Sequence, residues 1–343
     1  MSKYSALRAQ YANFTVPACK ITFDGSELSG ALFDGITADN SMGKTAGACR
    51  FTVHNVYEHG SGTFSSDAMS KLKPGGQVSV SLGYGSSLTQ VFTGYIDELG
   101  LRYGEEDICL SVICLDARAL MRHGSQYAAV KGKTAQKIAE ELLDLYSPLV
   151  SGKKITLSAL EKEVNITRAG GDLDYVQSAA DLRGQYFFID CGEAYIGGAK
   201  ETVCVEFEWP DIEIDFNARY LDCKITGVGY DYPNMEAFSA QKDAKGVKKN
   251  LLTVARTIAL PPHLLGDAGT AVVAAAANSA KREAAEGTIY CRGIPEPKLG
   301  EKVKIAKFPF ETLAGDTFPV VSVHHRMNSE DGFVTEIGIG GLA

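Results

Sequence analysis

Strict alternation of apolar and polar side chains marks the first third of the chain. In Gln77-Val78-Ser79-Val80-Ser81-Leu82 the period of two puts Val78, Val80 and Leu82 on one face and Gln77, Ser79 and Ser81 on the other. That is the pattern of a strand with one dry and one wet face. Gln90-Val91-Phe92-Thr93-Gly94-Tyr95-Ile96 and Ile108-Cys109-Leu110-Ser111-Val112-Ile113-Cys114 repeat it around the turn-forming Gly104-Glu105-Glu106-Asp107. Residues from about 18 to 120 are therefore predicted to form an antiparallel meander.

The period changes between about residues 131 and 200. Thr134 can cap a helix whose Ile138, Leu142 and Tyr146 share one face and which Pro148 stops. A second helix opens at Asp172-Leu173-Asp174-Tyr175-Val176, carries Ala179, Ala180 and Leu182, and ends at Gly184. A strand over 185–190, the turn Cys191-Gly192-Glu193 and the strand Ala194-Tyr195-Ile196 complete a small α+β insert. From residue 201 strands return. An alanine-rich helix is expected from Asp267 to Glu286, ended by Gly287, with strands over 288–291, 302–305, 319–325 and 333–339 after it. Three domains follow from these shifts: a β domain over 1–125, the helix-helix-hairpin insert over 126–200, and a second β domain over 201–343.

Two distant segments share one layout. Pro74-Gly75-Gly76-Gln77-Val78-Ser79-Val80 and Pro297-Lys298-Leu299-Gly300-Glu301-Lys302-Val303-Lys304-Ile305 both pass from Pro and Gly into an alternating strand. Each leads through a turn-rich excursion (83–89; 307–317), an apolar strand (91–96; 318–323) and a last strand (107–114; 333–339). Any two meanders look alike at this resolution, and that is the plainer reading. The other is an internal duplication, which would let three chains form a pseudo-sixfold ring.

The expected fold class is thus mainly β: two antiparallel β-barrel domains related by duplication plus a small α+β middle domain. Charge and chemistry narrow the role. A net charge of -8 supplies no basic stripe for phosphates, so tight nucleic-acid binding is not expected. No apolar run approaches the ~20 residues of a membrane helix, and Lys281, Arg282 and Glu283 interrupt the alanine-rich one. Arg8, Gln10 and Asn13 break up the N-terminal segment, so no secretory signal is expected and synthesis in a cytoplasm is. The eight cysteines form no C-x-x-C pair and read as buried thiols.

Motifs for cofactor or catalytic chemistry fall short. Gly43-Lys44-Thr45 and Gly132-Lys133-Thr134 lack the earlier glycine of a phosphate loop, since Ala38 and Tyr127 stand there. Gly83-Tyr84-Gly85 is followed by Leu88 where a dinucleotide loop needs glycine. The adjacent His324 and His325 should point to opposite faces of a strand, one packed and one in solvent. No G-x-S-x-G is present. No catalytic residue, cofactor or metal site is expected.

The run from Asp172 through Leu182-Arg183-Gly184-Gln185-Tyr186-Phe187-Phe188-Ile189-Asp190 and the segment Gly293-Ile294-Pro295-Glu296-Pro297-Lys298-Leu299-Gly300-Glu301-Lys302-Val303 resemble the phage late control protein D family. Phe92-Thr93-Gly94-Tyr95-Ile96, Leu115-Asp116-Ala117, Val321-Ser322-Val323-His324-His325 and Gly332-Phe333-Val334-Thr335 follow in the family's order, so the resemblance covers nearly the whole chain. These proteins are baseplate hubs of contractile tails, similar to the hub half of type VI secretion spike proteins. The resemblance implies that the two β domains are tube-like and that the chain, made in a bacterial cytoplasm, forms a structural homotrimer with pseudo-sixfold symmetry in a phage virion or tail-like particle. It would join a hexameric tail tube protein to a trimeric spike, within surrounding baseplate proteins. Because the sequence stops at Ala343 after the second β unit, the spike is expected to be a separate chain. On this reading Gln77, Ser79, Ser81, Lys302 and Lys304 are candidates to line the central channel. The alternatives are a hub that also degrades peptidoglycan, for which no separate lysin domain has room, and a carbohydrate-binding adhesin, against which the single Trp209 stands.

Overall fold

The computed structural model describes residues 2–340 except 105–107, 125–127, 159, 161–163, 169, 246–250 and 312–314. The turn expected at 105–107, the boundary expected at 125/126 and part of the 307–317 excursion fall outside the described residues. The fold is mainly β. A helix that the alternation gave no sign of, α1 (Tyr4–Gln10), buries Tyr4 and Leu7 at the start. The first β unit comprises β1 (Pro17–Phe23), β2 (Leu32–Ser41), β3 (Ala48–His54), β4 (Gln77–Tyr84), β5 (Ser87–Tyr103) and β6 (Ile108–Leu115), with α2 (Ser66–Lys71) between β3 and β4. Val78, Val80 and Leu82 point into the core as their alternation requires, against Phe23, Phe51 and Ile96. Hydrogen bonding orders the strands β1-β4-β5-β6-β3-β2.

The middle region holds α3 (Ala117–His123), α4 (Ala135–Asp144), β7 (Gly152–Ile155), α5 (Asp172–Asp181), β8 (Tyr186–Asp190) and β9 (Glu193–Gly197). The Thr134 hydroxyl accepts from the Lys137 amide at 3.2 Å, and Ile138 and Leu142 are buried. Gly184 takes the left-handed conformation after α5 with φ +62°. The β8–β9 hairpin turns through Cys191 and Gly192, both at positive φ. β7, unmarked by the sequence pattern, adds parallel to β9. Leu143, Val176, Ala180 and Ile196 form this region's own core.

The second unit runs through β10 (Val203–Glu208), β11 (Glu213–Ala218), β12 (Asp222–Asp231), β13 (Glu236–Lys245), β14 (Val254–Ala259), α6 (Asp267–Arg282), β15 (Ala285–Arg292), β16 (Lys302–Ala306), β17 (Thr317–Asn328) and β18 (Gly332–Gly340). α6 ends at Arg282, short of the expected Glu286, and Gly287 lies inside β15. Strand pairing outweighs the helix propensity of Ala284 and Ala285 there. Gly287 is needed for a close approach, since a Cβ would stand 2.5 Å from the Asp215 carbonyl oxygen. α6 covers the accessory sheet β13-β12-β14, in a separate core with Ile225 and Leu260. Among the described residues no helix is long and apolar enough to cross a membrane.

The two β units match strand for strand. The second is ordered β10-β16-β17-β18-β15-β11, so both read first-fourth-fifth-sixth-third-second in chain order. Their irregularities coincide too. The β5–β6 register skips Asp97, with Ile113 opposite Glu98 and Cys114 opposite Ile96. The β17–β18 register skips Val321, with Gly338 opposite Ser322 and Ile339 opposite Val320. The Gly75 amide donates to the Ile96 carbonyl at 2.8 Å and the Gly300 amide to the Val320 carbonyl at 3.0 Å. Both glycines have positive φ, +88° and +78°. Two unrelated meanders would not share a bulge and a turn in one register. One departure from the expected all-antiparallel units remains: β1–β4 is antiparallel but β10–β16 is parallel.

Candidate functional site

The two units meet where β17 pairs antiparallel with β2. Val323 stands opposite Asn40, His324 opposite Asp39, His325 opposite Ala38, Arg326 opposite Thr37 and Met327 opposite Ile36. Alternation sends Ile36, Ala38, His325 and Met327 into the core and leaves Thr37, Asp39, His324 and Arg326 on the outer face. The two adjacent histidines therefore separate as the strand pattern predicts. His324 is half-buried and pairs with the Asp39 carboxylate, whose hydrogen bond raises its pKa.

His325 is buried, and its Nδ1 lies 2.9 Å from the Thr335 hydroxyl. That hydroxyl spends its one hydrogen on the Ile294 carbonyl at 3.2 Å and accepts from the Ile294 amide at 3.1 Å, so Nδ1 is the donor. Burial, helped by Lys298 and His324, pulls the His325 pKa down to about 3. The folded protein keeps the ring neutral while the unfolded chain protonates it below about 6.5. Stability from this site is thus whole above pH 6.5 and falls toward pH 3, at about 1.4 kcal/mol per pH unit. His325→Gln is expected to flatten the urea-unfolding midpoint between pH 6.5 and 4.5 relative to wild type. His324→Gln should have the opposite sign, removing stability that is present at low pH and lost as pH rises through the raised pKa.

A buried ion pair braces the adjoining β2–β3 turn. Arg118 is fully buried on α3 and lies 2.7 Å from Asp116. It donates to the Gly43 carbonyl at 3.1 Å and the Asn40 side chain at 2.6 Å, and also to the Ser41 carbonyl. Asp116 accepts from the Gly47 amide at 2.8 Å. Asn40 donates onward to the Ile189 carbonyl, tying the seam to the middle region. Sequence inspection singled out Leu115-Asp116-Ala117 but stopped one residue short of Arg118. An Asp two residues before an Arg at a helix start was the available signal.

Gln77 is exposed and Ser79 and Ser81 are half-buried, on the face away from Val78, Val80 and Leu82. Lys302 pairs with Glu201 at 2.8 Å, and Lys304 lies 3.8 Å from Glu206 and 3.9 Å from Asp316. The shared register makes Gln77 the counterpart of Lys302 and Ser79 that of Lys304. The two sets sit on different units, and no hydrogen bond described joins them.

Among the described residues no group of three His, Cys, Asp or Glu side chains could hold a metal ion. All eight cysteines are free; Cys49, Cys109 and Cys114 are buried, whereas the other five, expected to be buried, are half-buried, four within strands and Cys191 in a turn. Burial pushes the thiols of Cys114 and Cys191 up to about 12, the wrong direction for a nucleophile.

Known structures share this architecture. A tail protein from Neisseria meningitidis superposes with a TM-score of 0.68 at 15% identity, over 95% of this chain and 96% of that one. A 43 kDa prophage tail protein from Shewanella oneidensis gives 0.66 at 15% identity, over 94% and 98%. An Escherichia coli type VI secretion component, described as similar to T4 bacteriophage tail proteins, gives 0.57 at 12% identity, over 94% and 77%. No curated protein sequence matches. A family model described as the Alg8 N-terminal domain matches residues 15–329.

Proposed function

The chain belongs to the Alg8 N-terminal domain family, and on its fold and its internal duplication we propose that it is a non-enzymatic hub of a contractile phage tail or tail-like injection particle. The observation that carries this reading is the duplication, which matches strand order, bulge and glycine turn within a fold shared end to end with tail proteins. Three chains with two equivalent units each present six similar positions to a hexameric tail tube while keeping true threefold symmetry for a trimeric spike. The tube protein, the spike and surrounding baseplate proteins are the proposed partners. The likeness to late control protein D hubs belongs to this proposal, as does the role of Gln77, Ser79, Ser81, Lys302 and Lys304 as channel-lining residues.

Light scattering tests the reading directly. The purified protein is expected at three times its 36.7 kDa chain mass. A species that stays monomeric as concentration rises through the micromolar range would count against it.

A further inference from the structure

The seam within the chain has a missing twin. β17, the fifth strand of the second unit, gives its outer edge to β2, the second strand of the first. By the shared register, β5 should give the matching edge to a strand equivalent to β11, yet in this chain β11 pairs only with β15. Likewise β5 pairs with β4 only up to Tyr95; among the described residues no strand covers that edge over 98–103, and none but β15 pairs with β11. An open β edge is a template for another strand.

We propose that these two edges pair with each other between copies of the chain, antiparallel and in the register of the internal seam. Carrying Val323–Asn40, His325–Ala38 and Met327–Ile36 across the duplication places Leu99 opposite Ala218, Leu101 opposite Phe216 and Tyr103 opposite Ile214. The exposure pattern asks for this cover. Leu101 and Tyr103 are 59% and 70% exposed, whereas their counterparts His325 and Met327 are 4% and 8% exposed inside the internal seam. The outer face is complementary in charge: Arg102 falls opposite Asp215 and Glu98 opposite Arg219, where the internal seam has Arg326 with Thr37 and Ser322 with Ser41. Asp215 and Arg219 are exposed and now meet only their own unit, through Tyr290 and Glu286. Each copy offers one edge of each kind, so pairing runs head to tail. Its closure at three rests on the hub reading above.

The test compares the full chain with Arg102→Asp, Asp215→Arg and the double exchange, by light scattering across concentration. Each single change is expected to raise the concentration for half-assembly by roughly tenfold or more, equivalent to ~1.4 kcal/mol, and the double exchange to restore it. In parallel, Arg102→Cys with Asp215→Cys should form a disulfide between copies, because opposed residues sit within disulfide reach. Arg102→Cys with Asn217→Cys, two residues out of register, should not. A trimer that survives both single exchanges and gives no register-specific disulfide would overturn this seam while leaving the ring reading intact. A wild-type chain that remains monomeric and fails to crosslink would overturn both.

Discussion

Arg118→Ala is expected to lower unfolding stability by about 3–5 kcal/mol, because removing one member of a buried ion pair leaves the other charge uncompensated. Asp116 is 3% exposed and would keep only backbone donors, the carbonyls of Ser41 and Gly43 would lose the guanidinium, and the Asn40 side-chain oxygen would keep only the Ser41 amide. Arg118→Lys should recover only part of the loss, since an ammonium cannot span those acceptors as the planar guanidinium does. The exposed Lys44–Asp174 pair is an internal control: equally short at 2.7 Å, it should cost below about 1 kcal/mol on Lys44→Ala. Urea midpoints at constant slope measure all three. A loss under about 1 kcal/mol for Arg118→Ala would mean the network braces nothing.

Phe333→Ala should cost a similar amount, about 3–5 kcal/mol, by opening a cavity that a rigid sheet cannot fill. Phe333 is 2% exposed and packs at a tilt against the rings of Tyr84 and His325. Its ring occupies the place where a side chain at Gly293 would stand, 2.1 Å from such a Cβ, while the Gly293 carbonyl accepts from the Tyr84 hydroxyl at 2.8 Å. Gly293→Ala is accordingly expected to overpack the site by about 1–3 kcal/mol. Combined, the two changes should cost less than their sum, since the alanine methyl enters space the ring has vacated. Strict additivity in denaturation would show that Gly293 matters through its backbone rather than through that contact.

Much of the architecture was legible because strands with one wet face must alternate. Val78, Val80 and Leu82 declared their inner face, and the match between 77–80 and 302–305 named truly equivalent strands. Thr134 and Gly184 were readable as helix ends because capping is local chemistry. The alanine-rich stretch misled at its end: propensity knows nothing of the strands that claim residues 285–292. The candidate site was less legible. Seam residues His324 and Asp39 are 285 positions apart, and nothing local in either strand names its partner. The burial of Arg118 is not written in its own stretch of sequence, because its acceptors include carbonyls from a turn some 75 residues earlier.

That separation has a consequence for how the chain is made. At about 5–20 residues per second, a first unit emerging from the ribosome would wait roughly 15–60 s before β17 exists to cover β2. Closing so long a loop is also late in folding, because its entropy is spent before its contacts form. Throughout that interval an unfinished first half displays an uncovered strand edge that fits β17 of any neighbour whose own seam has not yet closed. A chain stalled in synthesis would thus be a ready recipient for another copy's strand, a route to domain-swapped aggregates that a finished chain closes by folding back on itself.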